Sequence, residues 1–248
     1  MAMIRAMRVA PLALRAGCLT ALAGSAAFST SAPAPKNIKL YYFDFAFWRA
    51  ETIRLALFVG GVPFDDVRDV KNAELKEQGK LTFGSVPVLE VDGRILSQTQ
   101  AMASYAGKLA GMHPDDPWLE AKVDECINGC TDVTMTVGGT FRLPEEEKMA
   151  ARAAMVQPDG RLLVQLGGLE KICKENGSNG YAVGDSITVA DLAICGVAKW
   201  LSSGVLDGIP ADIVQTKFPA IAKVKSTVLS HPKVQEWAAA HPKDYGKK

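Results

Sequence analysis

The sequence predicts two domains, an α/β domain of order βαβ-ββα followed by an all-helical domain. Three observations lead to this prediction. Between residues 37 and 110, short β-branched and aromatic runs alternate with helical patterns. Residues 111–117 contain two prolines and two aspartates, which cannot continue a helix and therefore predict a linker. From residue 118 to residue 248 the strong patterns have helical periodicity, and none predicts a convincing strand.

In the α/β domain, four strands are predicted at residues 38–43, 62–70, 86–91 and 94–96. Helices are predicted at residues 49–59 and 99–109. Gly60-Gly61 ends the first helix, and Asp92-Gly93 is typical of a hairpin turn between the last two strands. The polar residues 71–82 have no clear period, so we expect an irregular connection there.

In the second domain, helices are predicted at residues 118–137, 144–173, 188–201, 218–229 and 234–240. Pro158-Asp159-Gly160 weakens the second of these helices. Thr188 and Asp191 have the spacing of a capping box, in which each side chain bonds the backbone amide of the other residue. We therefore interpret Asp191 as a structural acid at a buried helix start rather than as a site residue.

Residues 1–36 have the composition of a targeting peptide. They contain no Asp or Glu, and Arg5, Arg8 and Arg15 interrupt an apolar stretch that is followed by serines. This pattern favours a mitochondrial destination, with a plastid as the alternative. A secretory signal with its apolar run at residues 19–27 is the rival interpretation, and Arg15 lies too close to that run to favour it.

Composition excludes several other classes of function. The net charge is +1 and the basic residues are scattered, which argues against a nucleic-acid partner. No other run of about 18 uncharged apolar residues exists, so we expect no membrane span. Cys126 and Cys130 are expected to be core residues. The three histidines each precede a proline and form no cluster, so no metal site is predicted: His113, His231 and His241.

The stretch from Phe83 to Gly93 indicates a binding site. Pro87 heads an apolar, β-branched run, and proline belongs at a strand start or in a special turn because it cannot donate to a sheet. A cis bond between Val86 and Pro87 is compatible with this position. Such a turn leaves the amide and carbonyl of Val86 free to pair with an extended ligand backbone, which predicts recognition of a small peptide.

Two further pairs of residues could supply the chemistry. Tyr41-Tyr42 ends the first strand, and strand ends of open α/β sheets face ligand crevices. A phenol there could donate a hydrogen bond to a thiolate and lower the pKa of that thiol. Gln98-Thr99 begins a helix and could bind a carboxylate. The alternative interpretations are structural. The two tyrosines would only pack in the sheet, and Thr99 would only cap the helix.

Together these stretches resemble a Tyr-type glutathione transferase over about residues 38–240. The resemblance rests on residues 39–43, 49–54, 83–93, 98–99, 187–191, 218–219 and 231–234. It is strongest to the sigma-like group, which includes glutathione-dependent prostaglandin D synthases. It implies a thioredoxin-like N-terminal domain, an all-α C-terminal domain, a homodimer and no metal.

The resemblance also implies roles for individual residues. Tyr42 matches the tyrosine that stabilises the glutathione thiolate, and Val86 matches the residue whose backbone pairs with glutathione beside a cis Pro87. The other implied glutathione contacts are Arg49, Gln98, Thr99, Asp132 from the partner subunit, and Lys76 or Lys80 at the glycine end. Phe45, Phe47 and Trp48 would line the mouth of the electrophile pocket.

The implied activity is conjugation of the glutathione thiolate to hydrophobic electrophiles, with isomerase or peroxidase side activity. Two departures keep a non-catalytic binding protein as the alternative. The loop between Tyr42 and Arg49 is one residue longer than the usual spacing and lacks the usual Arg-Gly. The Trp and Lys that contact the glycine end of glutathione have no clean match. A thioredoxin-type redox protein is disfavoured because no Cys follows the first strand.

Overall fold

The computed structural model describes residues 35–245 and contains a four-stranded mixed sheet. Its strands are β1 (Ile38–Tyr41), β2 (Asp65–Val67), β3 (Val88–Val91) and β4 (Arg94–Ser97). Their order is β2-β1-β3-β4, with β1 and β2 parallel and the other neighbours antiparallel. A parallel pair needs a crossover and an antiparallel pair needs only a tight turn, so this sheet confirms the predicted βαβ-ββα order.

The N-terminal part of the chain that contains the sheet also has three helices: α1 (Trp48–Val59), α2 (Asn72–Glu77) and α3 (Thr99–Ala110). The described residues after them contain only helices. These are α4 (Pro117–Gly138), α5 (Glu145–Met155), α6 (Arg161–Glu175), α7 (Val189–Leu201), α8 (Ile213–Lys217), α9 (Pro219–Ser230), α10 (Pro232–Ala240) and α11 (Pro242–Tyr245). The predicted thioredoxin-like and all-α fold is confirmed.

Short elements account for the differences from prediction. Helix α2 forms in the segment expected to be irregular, and it shows no period because it buries only Leu75, against Tyr41 and Val88. Helices α8 and α11, with 5 and 4 residues, are too short for periodicity to reveal. The helix predicted over residues 144–173 is two helices, because Pro158 lies between α5 and α6 and lacks an amide hydrogen.

Helix α1 joins the sheet to the helical part of the chain. Trp48 at its start is 1% exposed, and its indole nitrogen donates to Thr134 Oγ1 of α4 at 2.7 Å. Gly196 allows α7 to pack against the same residue, since a Cβ at position 196 would lie 2.6 Å from Trp48 Cβ. Cys126 and Cys130 lie in the same core and are fully buried, as expected, and burial raises the pKa of both thiols.

The predicted capping box is present at the start of α7. The Thr188 amide donates to Asp191 Oδ2 at 2.7 Å, and the Ala182 amide donates to Oδ1 at 2.6 Å. Burial raises the pKa of Asp191 to about 6, and the amide hydrogen bonds oppose that rise. Asp191 therefore ties the preceding loop to α7, and the structural interpretation is confirmed.

Residues 1–34 of the predicted targeting peptide lie outside the described residues. Among residues 35–245, no helix is long and apolar enough to cross a membrane.

The loop between β1 and α1 is held by the buried side chain of Arg54. The guanidinium donates to the carbonyl oxygens of Phe43 and Phe45 at 3.3 and 3.1 Å. It also pairs with Glu51 at 3.2 Å and with Asp66 at 2.9 Å. The conformation of this loop is thus held by hydrogen bonds from one cation that is 0% exposed.

The C-terminal segment closes over the same loop. Tyr245 Oη and Trp237 Nε1 each donate to Glu51 Oε1 at 2.7 Å. Asp244 pairs with Arg68 at 2.7 Å and accepts a hydrogen bond from the Ala46 amide at 3.1 Å. The end of the described chain is therefore connected to α1 and to the loop through buried polar groups.

Replacing Arg54 with Met should destabilise the protein strongly. The change removes a buried cation and leaves two carboxylates and two carbonyls without it, a loss of about 3–5 kcal/mol. Urea denaturation would measure the free energy of unfolding. Arg94→Met, at the exposed first residue of β4, is the control, with an expected change of about 0.5 kcal/mol or less. Equal stabilities of the two variants would contradict the role given to Arg54.

Candidate active site

A polar cleft of about 300 Å³ lies between the start of α1, the turn before β3 and the amino end of α3. Its lining is Arg49, Phe83, Ser85, Val86, Pro87, Ser97, Gln98 and Thr99. Five residues selected from the sequence as glutathione contacts thus meet in one cleft, although they come from three separate segments of the chain.

The wall of this cleft offers hydrogen-bonding groups that the described protein leaves unused. The peptide bond between Val86 and Pro87 is cis, and the β3 ladder begins only at Val88. Within residues 35–245, the amide and carbonyl of Val86 have no backbone partner. The Ser97 hydroxyl is buried and also has no partner among these residues. An extended peptide could therefore pair with this wall.

One side of the cleft carries positive charge. Arg49 is half-buried and has no carboxylate partner within the described part of the chain. Gln98 has φ of +73°, an unusual conformation for a non-glycine residue, and directly precedes the first turn of α3. The free amides of that turn and the Arg49 guanidinium favour a carboxylate.

Tyr42 and Tyr41 have different environments. Tyr41 Oη donates to Glu90 at 3.0 Å and accepts from Lys80 Nζ at 2.8 Å, so its hydroxyl is occupied. The hydroxyl of Tyr42 has no hydrogen-bond partner among residues 35–245. Burial raises the pKa of Tyr42 to about 12, while Arg49 and Arg54 act to lower it. The Tyr42 phenol is therefore protonated at neutral pH and free to donate.

Four residues predicted from the resemblance as glutathione contacts lie outside the cleft lining: Tyr42, Lys76, Lys80 and Asp132. Lys80 forms an ion pair with Glu90 at 2.8 Å beneath Tyr41, and Lys76 is exposed on α2. Asp132 is exposed on α4, in a surface groove against α6. Ungapped spacing places Glu74 and Gln78 at the glycine end of glutathione, and Lys76 or Lys80 is expected only as a substitute for the missing match. Tyr42 does not line this cleft, and its ring centroid lies 5.5 Å from that of Phe45 in the loop after β1.

An apolar pocket of about 430 Å³ lies on the other side of the loop. Phe45, Phe47 and Trp48 line it, as the resemblance implies, although the Trp48 indole also has the structural contact with α4 described above. Sequence reasoning missed the residues that α7, α9 and the C-terminal segment contribute, among them Lys199, Trp200 and Tyr245. Helical periodicity predicts which face of each helix is buried. It does not indicate which residue on that face lines a pocket rather than packing against a neighbouring helix.

No group of three or more His, Cys, Asp or Glu side chains in the described part of the chain could hold a metal ion.

Comparison with known proteins agrees with this geometry. Residues 38–108 match the N-terminal domain of glutathione S-transferases, and residues 131–241 match their C-terminal domain. Glutathione S-transferase 1 of Ascaris suum is 32% identical, with 83% of this chain and 97% of that protein aligned. Both halves of the chain are thus matched by one family.

Solved structures give the same result. The structure of prostaglandin synthase D of Nilaparvata lugens has a TM-score of 0.68 at 26% identity, covering 82% of this chain and 98% of that chain. A monomeric glutathione S-transferase of Necator americanus has a TM-score of 0.63 at 28% identity, covering 84% and 98%. The chain therefore belongs to the glutathione S-transferase family and is a transferase with glutathione as its co-substrate.

Proposed function

We propose that the polar cleft binds glutathione and that Tyr42 donates a hydrogen bond to the glutathione thiolate. The observation that carries this proposal is the unpaired main chain of Val86, which lies between Arg49 and the amino end of α3. Glutathione is a short peptide with carboxylates at both ends. Its cysteinyl backbone would pair with Val86, and its γ-glutamyl carboxylate would lie against Gln98 and Thr99.

The proposed chemistry follows from the state of the phenol. With a pKa of about 12, Tyr42 keeps its proton and can donate it in a hydrogen bond to sulfur. That bond favours the thiolate over the thiol, whose ordinary pKa is about 8.5. The thiol proton leaves to solvent, and the thiolate donates an electron pair to form a carbon–sulfur bond with the electrophile. The bond from that carbon to its leaving group breaks, and the leaving group departs to solvent with the electron pair, as chloride does from chlorodinitrobenzene. Tyr41 is unsuited to this role because its hydroxyl already serves Lys80 and Glu90.

The apolar pocket would hold the electrophile. Phe45 lines this pocket and also packs against Tyr42, so it lies between the proposed thiolate site and the pocket. Trp48 and Arg49 are neighbours in sequence, yet one lines the apolar pocket and the other lines the polar cleft. Hydrophobic electrophiles are the substrate class that such walls favour. Isomerase and peroxidase reactions would use the same thiolate.

Replacing Tyr42 with Phe should separate binding from chemistry. We expect glutathione affinity within about threefold of the parent and a fall of roughly 100-fold in kcat/KM at pH 7 for chlorodinitrobenzene, because one charge-stabilising donor is lost. The apparent pKa of kcat/KM should rise towards that of free glutathione. Stopped-flow titration of the thiolate absorbance would measure that pKa directly.

Tyr41→Phe is the matched control for this experiment, since it removes an adjacent phenol with other partners. It should leave the pH profile of kcat/KM in place. Undiminished turnover by the Tyr42→Phe enzyme would overturn the role of Tyr42. Retention on immobilised glutathione without turnover of several electrophiles by the unmodified protein would favour the non-catalytic alternative.

We also propose that the protein belongs to the sigma-like group. The similarity to a prostaglandin synthase D supports this placement, together with the Tyr42-Phe43 pair and the Arg49-Ala50-Glu51 sequence at the first helix. Nematode glutathione S-transferases, such as that of Ascaris suum, are comparably similar.

A homodimer is the assembly we propose. Phe83 is 64% exposed beside the cleft, and the groove between α4 and α6 offers Leu169, Ile172 and backbone at Gly129 and Gly168 to a large apolar side chain. Asp132 borders this groove and does not line the cleft of its own chain, so it could contact glutathione only from a second copy. The structure of a Necator americanus relative is described as monomeric, which makes the assembly of this chain a question for experiment.

Phe83→Asp should convert the dimer to a monomer, because the carboxylate would be desolvated against Leu169 and Ile172 and would lie near the carboxylates that also line this groove. Sedimentation velocity at micromolar protein would measure the mass. Val205→Asp, at a residue that is 55% exposed beside the apolar pocket, is the control and should leave the mass unchanged. A monomeric parent protein would contradict the proposal, as would a Phe83→Asp variant that stays dimeric.

Residues 1–36 are proposed to direct the protein to mitochondria, with plastids as the alternative. Their arginine-rich, acid-free composition supports this proposal. Isolated mitochondria should import and shorten the full chain, whereas a chain that begins at residue 37 should stay outside. Import by chloroplasts instead would select the plastid, and import by neither would contradict the proposal.

A further inference from the structure

Charged side chains also line the apolar pocket, and all but one of them form an ion pair. Four of the residues that line it are formally charged: Glu51, Lys199, Lys243 and Asp244. Three of them have a partner of opposite charge, in the pairs Glu51–Arg54 at 3.2 Å, Asp244–Arg68 at 2.7 Å and Lys243–Asp44 at 2.6 Å. Within residues 35–245, Lys199 is the one lining charge without an ion pair.

Lys199 lies on α7 among apolar groups. Its ammonium nitrogen sits 3.5 Å from the ring centroid of Tyr245, so an aromatic face takes the place of a carboxylate. Burial lowers the pKa of Lys199, and the carboxylates of Glu51 and Asp244 act in the opposite direction. Those carboxylates are already engaged by Arg54 and Arg68. The ammonium therefore keeps unused hydrogen-bond donors at the wall of a pocket with room for a ligand.

We propose that Lys199 is a specificity-determining residue that recognises an anionic group on apolar ligands of this pocket, so that the protein prefers hydrophobic molecules that carry a carboxylate. The inference rests on the proposed function only in taking this pocket as the electrophile site. Apolar walls from Phe47, Trp200 and Val228 would hold the hydrocarbon part. The carboxylate would supply the opposite charge that Lys199 lacks.

The contact with Tyr245 holds the Lys199 ammonium in position. Tyr245 Oη is fixed to Glu51 Oε1 at 2.7 Å, so the ring beneath the ammonium is held in place. The cation is therefore pre-positioned by α7 and by the C-terminal segment before a ligand arrives, which reduces the ordering needed on binding.

Calorimetric titration of decanoate and decanamide tests the proposal. The two probes share an alkyl chain and differ in charge. The parent protein should bind decanoate about tenfold more tightly than decanamide, the difference expected for a charge-assisted hydrogen bond. Lys199→Met should abolish this preference by weakening decanoate alone, and Lys199→Arg should keep it. Lys225→Met is the control, because Lys225 is half-buried on neighbouring α9 without lining the pocket.

Equal affinities of the parent protein for the two probes would overturn the proposal, and so would a preference that survives in Lys199→Met. A second readout places the site: decanoate should inhibit conjugation competitively against chlorodinitrobenzene in the parent protein, and non-competitive inhibition would contradict this placement. The titrations need neither glutathione nor turnover. Their failure would leave the proposed role of Tyr42 intact, and failure of the Tyr42 experiments would leave the titrations interpretable.

Discussion

The buried guanidinium of Arg54 is the contact on which the rest of the site depends. A buried cation carries a large desolvation cost, which is offset only when its donors are occupied. Here two carboxylates and two carbonyls occupy them, and the carbonyls belong to the loop after Tyr42. Because Glu51 also binds the C-terminal segment, one network fixes the loop, the edge of the sheet and the end of the described chain.

Helix α1 separates two environments that conjugation requires. A charged peptide needs donors and cations in a polar cleft, whereas a hydrophobic electrophile needs a dry pocket. Arg49 and Trp48 are consecutive residues in the first turn of α1, and each lines one of these cavities. Phe45 lines the apolar pocket and its ring also packs against the ring of Tyr42, so the loop connects this pocket to the phenol. In the proposed mechanism, the first turn of α1 would separate the two ligands, and Tyr42 would lie near their reacting atoms.

Pairing of polar groups distinguishes structural residues from residues available to ligands. Asp191, Tyr41 and Arg54 are each satisfied by protein groups, and their roles are to hold loops and strands. Tyr42 and Lys199 lack such partners in the described part of the chain, and both face ligand space in the proposed mechanism. Lys199 lines the apolar pocket without a carboxylate partner, and that is the physical reason to assign its ammonium to a ligand.

The sequence by itself determined what depends on neighbouring residues. The hairpin at Asp92-Gly93, the capping box at Thr188 and the cleft segments near Val86 and Gln98 are local patterns, and the resemblance added Arg49 to the cleft. Only the tertiary structure decided what depends on distant contacts. Helix α2 buries a single residue, and Lys80 forms an ion pair with Glu90. Tyr245 donates a hydrogen bond to Glu51, which lies 194 positions earlier in the sequence. Periodicity shows that a face is buried, whereas packing decides whether that face meets a neighbour or, as at Lys199, a cavity.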